Sequence, residues 1–219
     1  MPLILEENSQ NNMSINPFLA TPETHVAVCN GVWDLGSFVM DKYPDKNGKA
    51  KIVPQVLVQW EIAEEIDLPG SENDKKKKVV QQRYPKSLAE EPKVSKLRAM
   101  IEGWIGLENL KDDKGVIDLE KIIGKPCLLN VSNYTDSTGR VKAGVTSVSK
   151  TIPGVTVFEL DNNYKGVDIP YVQKVRESNL EKVKEYEEKW ALEQKNNTKK
   201  AEEKVSKEET EPVSTVVPF

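Results

Sequence analysis

Apolar and polar residues alternate with a period of two in five separate runs between His25 and Val148, which predicts a mainly β chain. The cleanest run is Ile52–Ile62 (IVPQVLVQWEI). In it Val56, Val58, Trp60 and Ile62 share one face, while Gln55, Gln59 and Glu61 share the other with Leu57. Pro54 marks an edge or a strand that begins there. Before it, His25–Leu35 (HVAVCNGVWDL) reads as a first strand with a bend at Asn30-Gly31. After it, Val79–Tyr84 reads as a third. Two further runs, Lys125–Val131 and Val141–Val148, flank the polar segment Ser132–Arg140 and predict a hairpin. Cys127, Leu129 and Val131 fall on one side of it, as do Val141, Ala143 and Val145. The segments Ser37–Ala50 and Asp67–Lys78 carry turn residues and read as loops.

Between the third and fourth strands the period changes. Val94, Leu97, Ile101 and Trp104 recur at steps of three and four over Pro92–Leu107, which predicts a helix with a buried stripe and Pro92 in its first turn. Val116–Gly124 reads as a short helical turn. Past Ile152, Val155, Val157, Phe158 and Leu160 admit one more strand, and whether 151–170 joins the sheet stays open. From Pro170 the stripe Val172, Val175, Val183, Tyr186 and Trp190 predicts a helix, broken by a gap at Asn179 that argues against a long coiled coil. Lys195–Thr215 holds too little apolar surface to repay its ordering entropy and is expected to be disordered.

The order strand, strand, strand, helix, strand, strand is that of a five-stranded OB-fold barrel with a helix between strands 3 and 4. Such barrels bind oligonucleotides on strands two and three and on the loops after strands one and four. The expected organisation is a flexible N-terminal arm (1–24), the barrel (25–160), a C-terminal helix (170–195) and an acidic tail with an apolar tip (196–219). No internal repeat is present.

Composition narrows the chemistry. With 37% hydrophobic and 30% charged residues among 219, the chain supports one compact domain with polar extensions. Cys29 and Cys127 lie far apart in apolar strand patterns and read as core residues. No signal peptide pattern or membrane span is evident, so the expectation is a soluble protein of the cytoplasm. The lone His25 offers neither a triad nor a multi-histidine metal site, and no phosphate-cradling glycine motif occurs. An enzyme, a metal and a cofactor are therefore not expected.

Although the net charge is −4, Lys75–Arg98 holds nine basic residues against two acidic ones. Non-specific single-strand binders combine such cations with aromatic faces on which bases stack. The candidate set is Arg83 and Tyr84 at the end of the third strand, with Lys77, Lys78 and Lys86 around them. Trp33 and Lys51 flank the first loop, and Gln59 sits on the polar face of the second strand. Tyr134, Arg140 and Lys142 belong to the hairpin. Trp60 and Trp104 read as core.

The tail runs Glu208-Glu209-Thr210-Glu211-Pro212-Val213-Ser214-Thr215-Val216-Val217-Pro218-Phe219. An acidic stretch with an apolar Pro-Phe tip resembles the tails of bacterial and some phage single-stranded-DNA-binding proteins. That resemblance implies that Pro218 and Phe219 enter a pocket on replication or recombination proteins, while the acidic stretch competes with DNA. The body is similar to a family of phage-encoded early proteins of the same kind. The resembling segments are Val58–Ile62, Arg83-Tyr84 with Ser87-Leu88, Lys96–Arg98 continuing to Trp104, and Asp118–Glu120 through Gly124–Val131. The Gly-Lys-Pro-Cys-Leu-Leu run at Gly124–Leu129 is its most specific part. Pro85 departs from it, standing where such chains tend to carry Thr. The resemblance implies a non-catalytic protein that coats single-stranded DNA in phage replication, recombination or repair. Two other readings are a protein-interaction or assembly factor, in which the helix from Pro170 to Lys195 mediates self-association into a homo-oligomer, and an RNA-binding OB-fold.

Overall fold

The computed structural model describes residues 19–41, 44–67, 75–136 and 138–208, the side chains of 199–208 aside. The predicted arm up to residue 18 and the tail tip, with Pro218 and Phe219, lie outside the described residues. The elements are β1 (Thr24–Met40), β2 (Lys51–Asp67), β3 (Lys75–Pro85), α1 (Lys96–Trp104), β4 (Pro126–Thr135), β5 (Val141–Ser149) and α2 (Pro170–Glu208). Five antiparallel strands form one sheet in the order β3-β2-β1-β4-β5. No helix among the described residues is long and apolar enough to cross a membrane.

Several boundaries move. β1 continues past Leu35 to Met40, and β3 begins at Lys75, so the lysine run Lys75–Lys78 is strand rather than loop. A lysine alternates as well as any residue when each second side chain has a carboxylate to meet. α2 runs on past Lys195 to Glu208, where low apolar content had predicted disorder. Residues 151–169 form no strand.

The chain divides into two compact units, and β1 and β2 contribute to both. In the first, which among the described residues holds 19–32, 57–67, 75–84, 88–136 and 138–167, the core is that expected from the alternation. Trp60, Ile62, Ile101, Trp104 and Leu129 are all buried. The rings of Trp60 and Trp104 lie 6.3 Å apart, tilted by 50°. Trp104 also donates its indole N–H to the Pro126 carbonyl at 2.8 Å, satisfying its one polar atom. Gly103 lets α1 approach β5: a Cβ there would stand 3.3 Å from the Val148 carbonyl oxygen. Cys29 and Cys127 are buried free thiols, and burial pushes both well above the ordinary thiol range.

The opposite face of β2, read as polar, is buried too. Gln59 bonds Gln81 of β3 at 2.9 Å. The Glu61 carboxylate accepts hydrogen bonds from Asn30 Nδ2 (3.0 Å), from the backbone N–H of Asp161 (2.7 Å) and from that of Asn162 (3.0 Å). Tyr164 N–H donates to the Asn30 carbonyl at 2.8 Å. Lys77 donates its own backbone N–H to Asp161 at 2.9 Å and holds its ammonium 5.3 Å from the Phe158 ring centre. The irregular stretch 158–164 therefore crosses β3, β2 and β1 in turn, as a strap over the face away from Trp60. Asn162 Nδ2 adds a fourth bond at 3.4 Å, and a carboxylate in that position is tolerated because these donors replace its water.

The second unit holds, among the described residues, 33–41, 44–56, 85–87 and 168–208. Its α2 is held by polar contacts as well as by its apolar stripe, of which Val172 is fully buried. Asn179, the residue that breaks the stripe, is buried and donates to the Leu35 carbonyl at 2.9 Å. Arg176 forks onto the Asp34 carbonyl at 2.9 and 3.1 Å while pairing with Asp168 at 2.7 Å. Ala50 N–H reaches the Tyr186 hydroxyl at 2.5 Å, and Tyr186 stacks on Trp190 with centroids 6.5 Å apart.

Candidate nucleic-acid interface

Among the predicted contacts, the β4–β5 hairpin is the group that the first unit brings together at its surface. Its loop is organised by one carboxylate. Asp136 Oδ1 accepts from the N–H groups of Thr138 (2.8 Å) and Arg140 (3.1 Å) and from the Thr138 hydroxyl (2.6 Å). Gly139 takes a left-handed φ of 80°, which the tight return to β5 requires and which a side chain would resist. The other oxygen, Oδ2, pairs with Lys142 Nζ at 2.7 Å. The Lys142 hydrogen bond, followed by that of Thr138, holds the Asp136 carboxyl well below the usual carboxylate range. The same bond raises the Lys142 ammonium.

Beside this loop, Tyr134 of β4 is the in-register partner of Lys142 of β5. Its parity sets it on the side opposite Cys127, Leu129 and Val131, and 51% of it is exposed. The ring rests over Gly144, where a Cβ would stand only 2.9 Å from it. Glycine is thus the residue that leaves room for the ring against the sheet. Arg140 is exposed, and its guanidinium has no ion-pair partner among the described residues. An exposed ring, one cation in register with it and a second at the loop can together stack on a planar group and meet an anion.

The remaining predicted contacts are distributed differently. Trp33 and Tyr84 are buried, at 4% and 6% exposure, and present no face for stacking. Burial also pushes the Tyr84 hydroxyl well above the ordinary tyrosine range. Their aromatic surface goes to packing, as the apolar side of an alternating strand demands. Gln59 is buried against Gln81. Lys77 is paired with Asp161, which raises the lysine and lowers the carboxyl. Lys78 is paired with Glu64 at 2.6 Å and donates to the Leu19 carbonyl at 2.9 Å. These cations serve the fold. Arg83 is exposed near the end of β3. Lys51 and Lys86 are exposed in the second unit, where Lys86 pairs with Asp34 at 2.5 Å.

Glu64 is the centre of a second polar cluster. His25 is buried, with Nε2 2.8 Å from the Thr21 carbonyl and Nδ1 3.4 Å from Glu64. Glu23 closes the group at 4.0 Å from Nδ1. Burial works against ionisation of Glu64, but hydrogen bonds from Lys78 and Thr21 outweigh it and hold the carboxyl below its ordinary range. With an ammonium already on it, this cluster acts as a clasp for residues 19–24.

Comparison with family models and with curated proteins finds no match to the chain.

Proposed function

We propose that the protein is a non-catalytic single-stranded-DNA-binding protein built on an OB-fold barrel, which coats DNA during phage replication or recombination in the host cytoplasm. The fold part of this reading is supported by the strand order β3-β2-β1-β4-β5 with α1 between β3 and β4. A bond from Val145 N–H of β5 to the Gln82 side chain of β3, at 3.4 Å, favours closure between the two outer strands. The functional part is carried by one observation: Tyr134 lies half exposed over Gly144, with Lys142 in register and Arg140 unpaired beside it.

Binding follows from that geometry. A base stacks on the Tyr134 ring, and its flanking phosphates draw Arg140 and Lys142. Lys142 is exposed and meets only Oδ2 of Asp136, whose Oδ1 keeps its bonds to Thr138 and Arg140, so exchanging that one oxygen for a phosphate costs little. The acidic tail with Pro218 and Phe219 recruits replication or recombination proteins. Replacing Tyr134 by Ala tests the reading in an anisotropy titration with labelled oligothymidylate. Loss of one stacked base costs roughly 1–3 kcal/mol, or about five- to a hundred-fold in Kd. Unchanged affinity contradicts it. Tighter binding of matched RNA would redirect it to an RNA-binding OB-fold.

A further inference from the structure

Four lysines from separate parts of the first unit meet around one cleft of about 830 Å³. Lys121 comes from the turn Leu119–Ile122, Lys125 precedes β4, Lys150 follows β5, and Lys165 comes from the irregular stretch after the strap. Glu120 is the one carboxylate on its wall, while Ile105, Ile123 and Pro126 supply an apolar floor. Lys121 donates to the Lys111 carbonyl at 2.7 Å. Lys125, Lys150 and Lys165 have no ion-pair partner among the described residues. In this they differ from Lys77, Lys78, Lys86 and Lys142, each of which meets a carboxylate. Gathering unpaired like charges around a concave, partly apolar wall is unfavourable by itself and focuses positive potential into the opening.

The cleft sits at the far end of the strand pair that carries Tyr134. β4 leads from Pro126 at the cleft to Thr135 at the hairpin loop, and at about 3.3 Å per residue this separates the two by roughly 30 Å. β5 returns from the loop to Lys150. Ammonium groups act as point charges that suit spaced phosphates, whereas the apolar floor suits sugar and base faces.

We propose that this cleft is a second phosphate site, which takes the sugar–phosphate backbone of the single strand held at the hairpin. It rests on the single-strand reading and extends it into a path along β4 and β5. Lys125→Gln with Lys150→Gln, and the reversal Lys125→Glu with Lys150→Glu, alter exposed side chains in the full chain. Salt-dependent titrations then compare an oligothymidylate of about 3 nucleotides with one of about 20, on either side of the site size of one barrel. For the long strand the neutral double variant lowers the slope of log K against log salt by about 1.4, at roughly 0.7 per phosphate contact. The short strand keeps its slope. Equal slopes for wild type and variants at both lengths overturn the cleft while leaving the hairpin standing. Isothermal titration with inorganic tripolyphosphate separates the two readings. If the unaltered protein binds no oligonucleotide, the hairpin reading fails. Tripolyphosphate binding that the reversal abolishes then keeps the cleft as a phosphate site, and no tripolyphosphate binding overturns it.

Discussion

Glu61→Gln is the sharpest test of how the strap is held. The change is nearly isosteric, yet the site distinguishes its two oxygens: Oε1 accepts from Asn30 and Asn162, and Oε2 accepts from the Asp161 N–H. A glutamine that keeps its carbonyl at Oε1 turns an NH₂ toward the Asp161 N–H. Turned the other way, it opposes three donors, Asn30 Nδ2 and the backbone N–H and Nδ2 of Asn162. Either way at least one hydrogen bond to a charged acceptor, worth about 1.5–3 kcal/mol, is replaced by two donors facing each other. The expected cost is about 2–3 kcal/mol. Because Glu61 is fully buried, solvent does not dilute it. Urea denaturation should show a lower midpoint at an unchanged m-value. Native-state hydrogen exchange locates the effect, since a 2 kcal/mol loss speeds exchange about 30-fold wherever the strap opens on its own. The amides of Asp161, Asn162 and Tyr164 should lose protection before those of β4 do. A midpoint within about 0.5 kcal/mol of wild type, with strap amides unchanged, would refute the reasoning.

Acidification should act on the same strap. Asp161 has a folded pKa below its ordinary 3.8, caused first by the Lys77 hydrogen bond, so its stabilisation is present above that value and is lost as pH falls through the folded pKa. Urea midpoints measured from pH 5 down to pH 2 should fall less steeply in Asp161→Asn than in wild type, and parallel curves would contradict this. Gly144→Ala should push the Tyr134 ring off the sheet. DNA affinity should then drop about five- to ten-fold while the thermal midpoint moves by only a few degrees, whereas wild-type affinity would show that the ring's seat is irrelevant. Cys29 and Cys127, buried and with raised thiol pKa values, should resist a thiol reagent at pH 8 until the protein unfolds. Rapid labelling of either in native buffer would contradict the core placement.

The strands were legible because alternation is a local property. Trp60, Leu129 and Cys127 all lie on the side their neighbours predicted, and α1 declared itself by its change of period. The strap was not legible. Asp161 and Asn162 matter through their backbone N–H groups, which any residue supplies, and Glu61 looks like surface until its distant donors are known. That misreading carried over to the site. Lys77, Lys78 and Gln59 were expected at the interface because of their strand and charge, but carboxylates and an amide remote in sequence engage them. Trp33 and Tyr84 illustrate a second limit, since an aromatic residue at a strand end reads equally well as a stacking face or as packing. The cleft lysines were missed for the opposite reason: each stands alone in the sequence, and only the fold gathers them.

As proposed, single-stranded DNA engages the β4–β5 hairpin of this acidic chain through phosphates and stacked bases. The most direct measurement is a titration of the full chain against a labelled single strand and its duplex across a range of salt. Tighter binding to the single strand is expected, with log K falling linearly with log salt at roughly 0.7 per phosphate contact, and a shallower fall for Arg140→Ala with Lys142→Ala. Absent binding at low salt, or an affinity indifferent to salt and to those two cations, would contradict it.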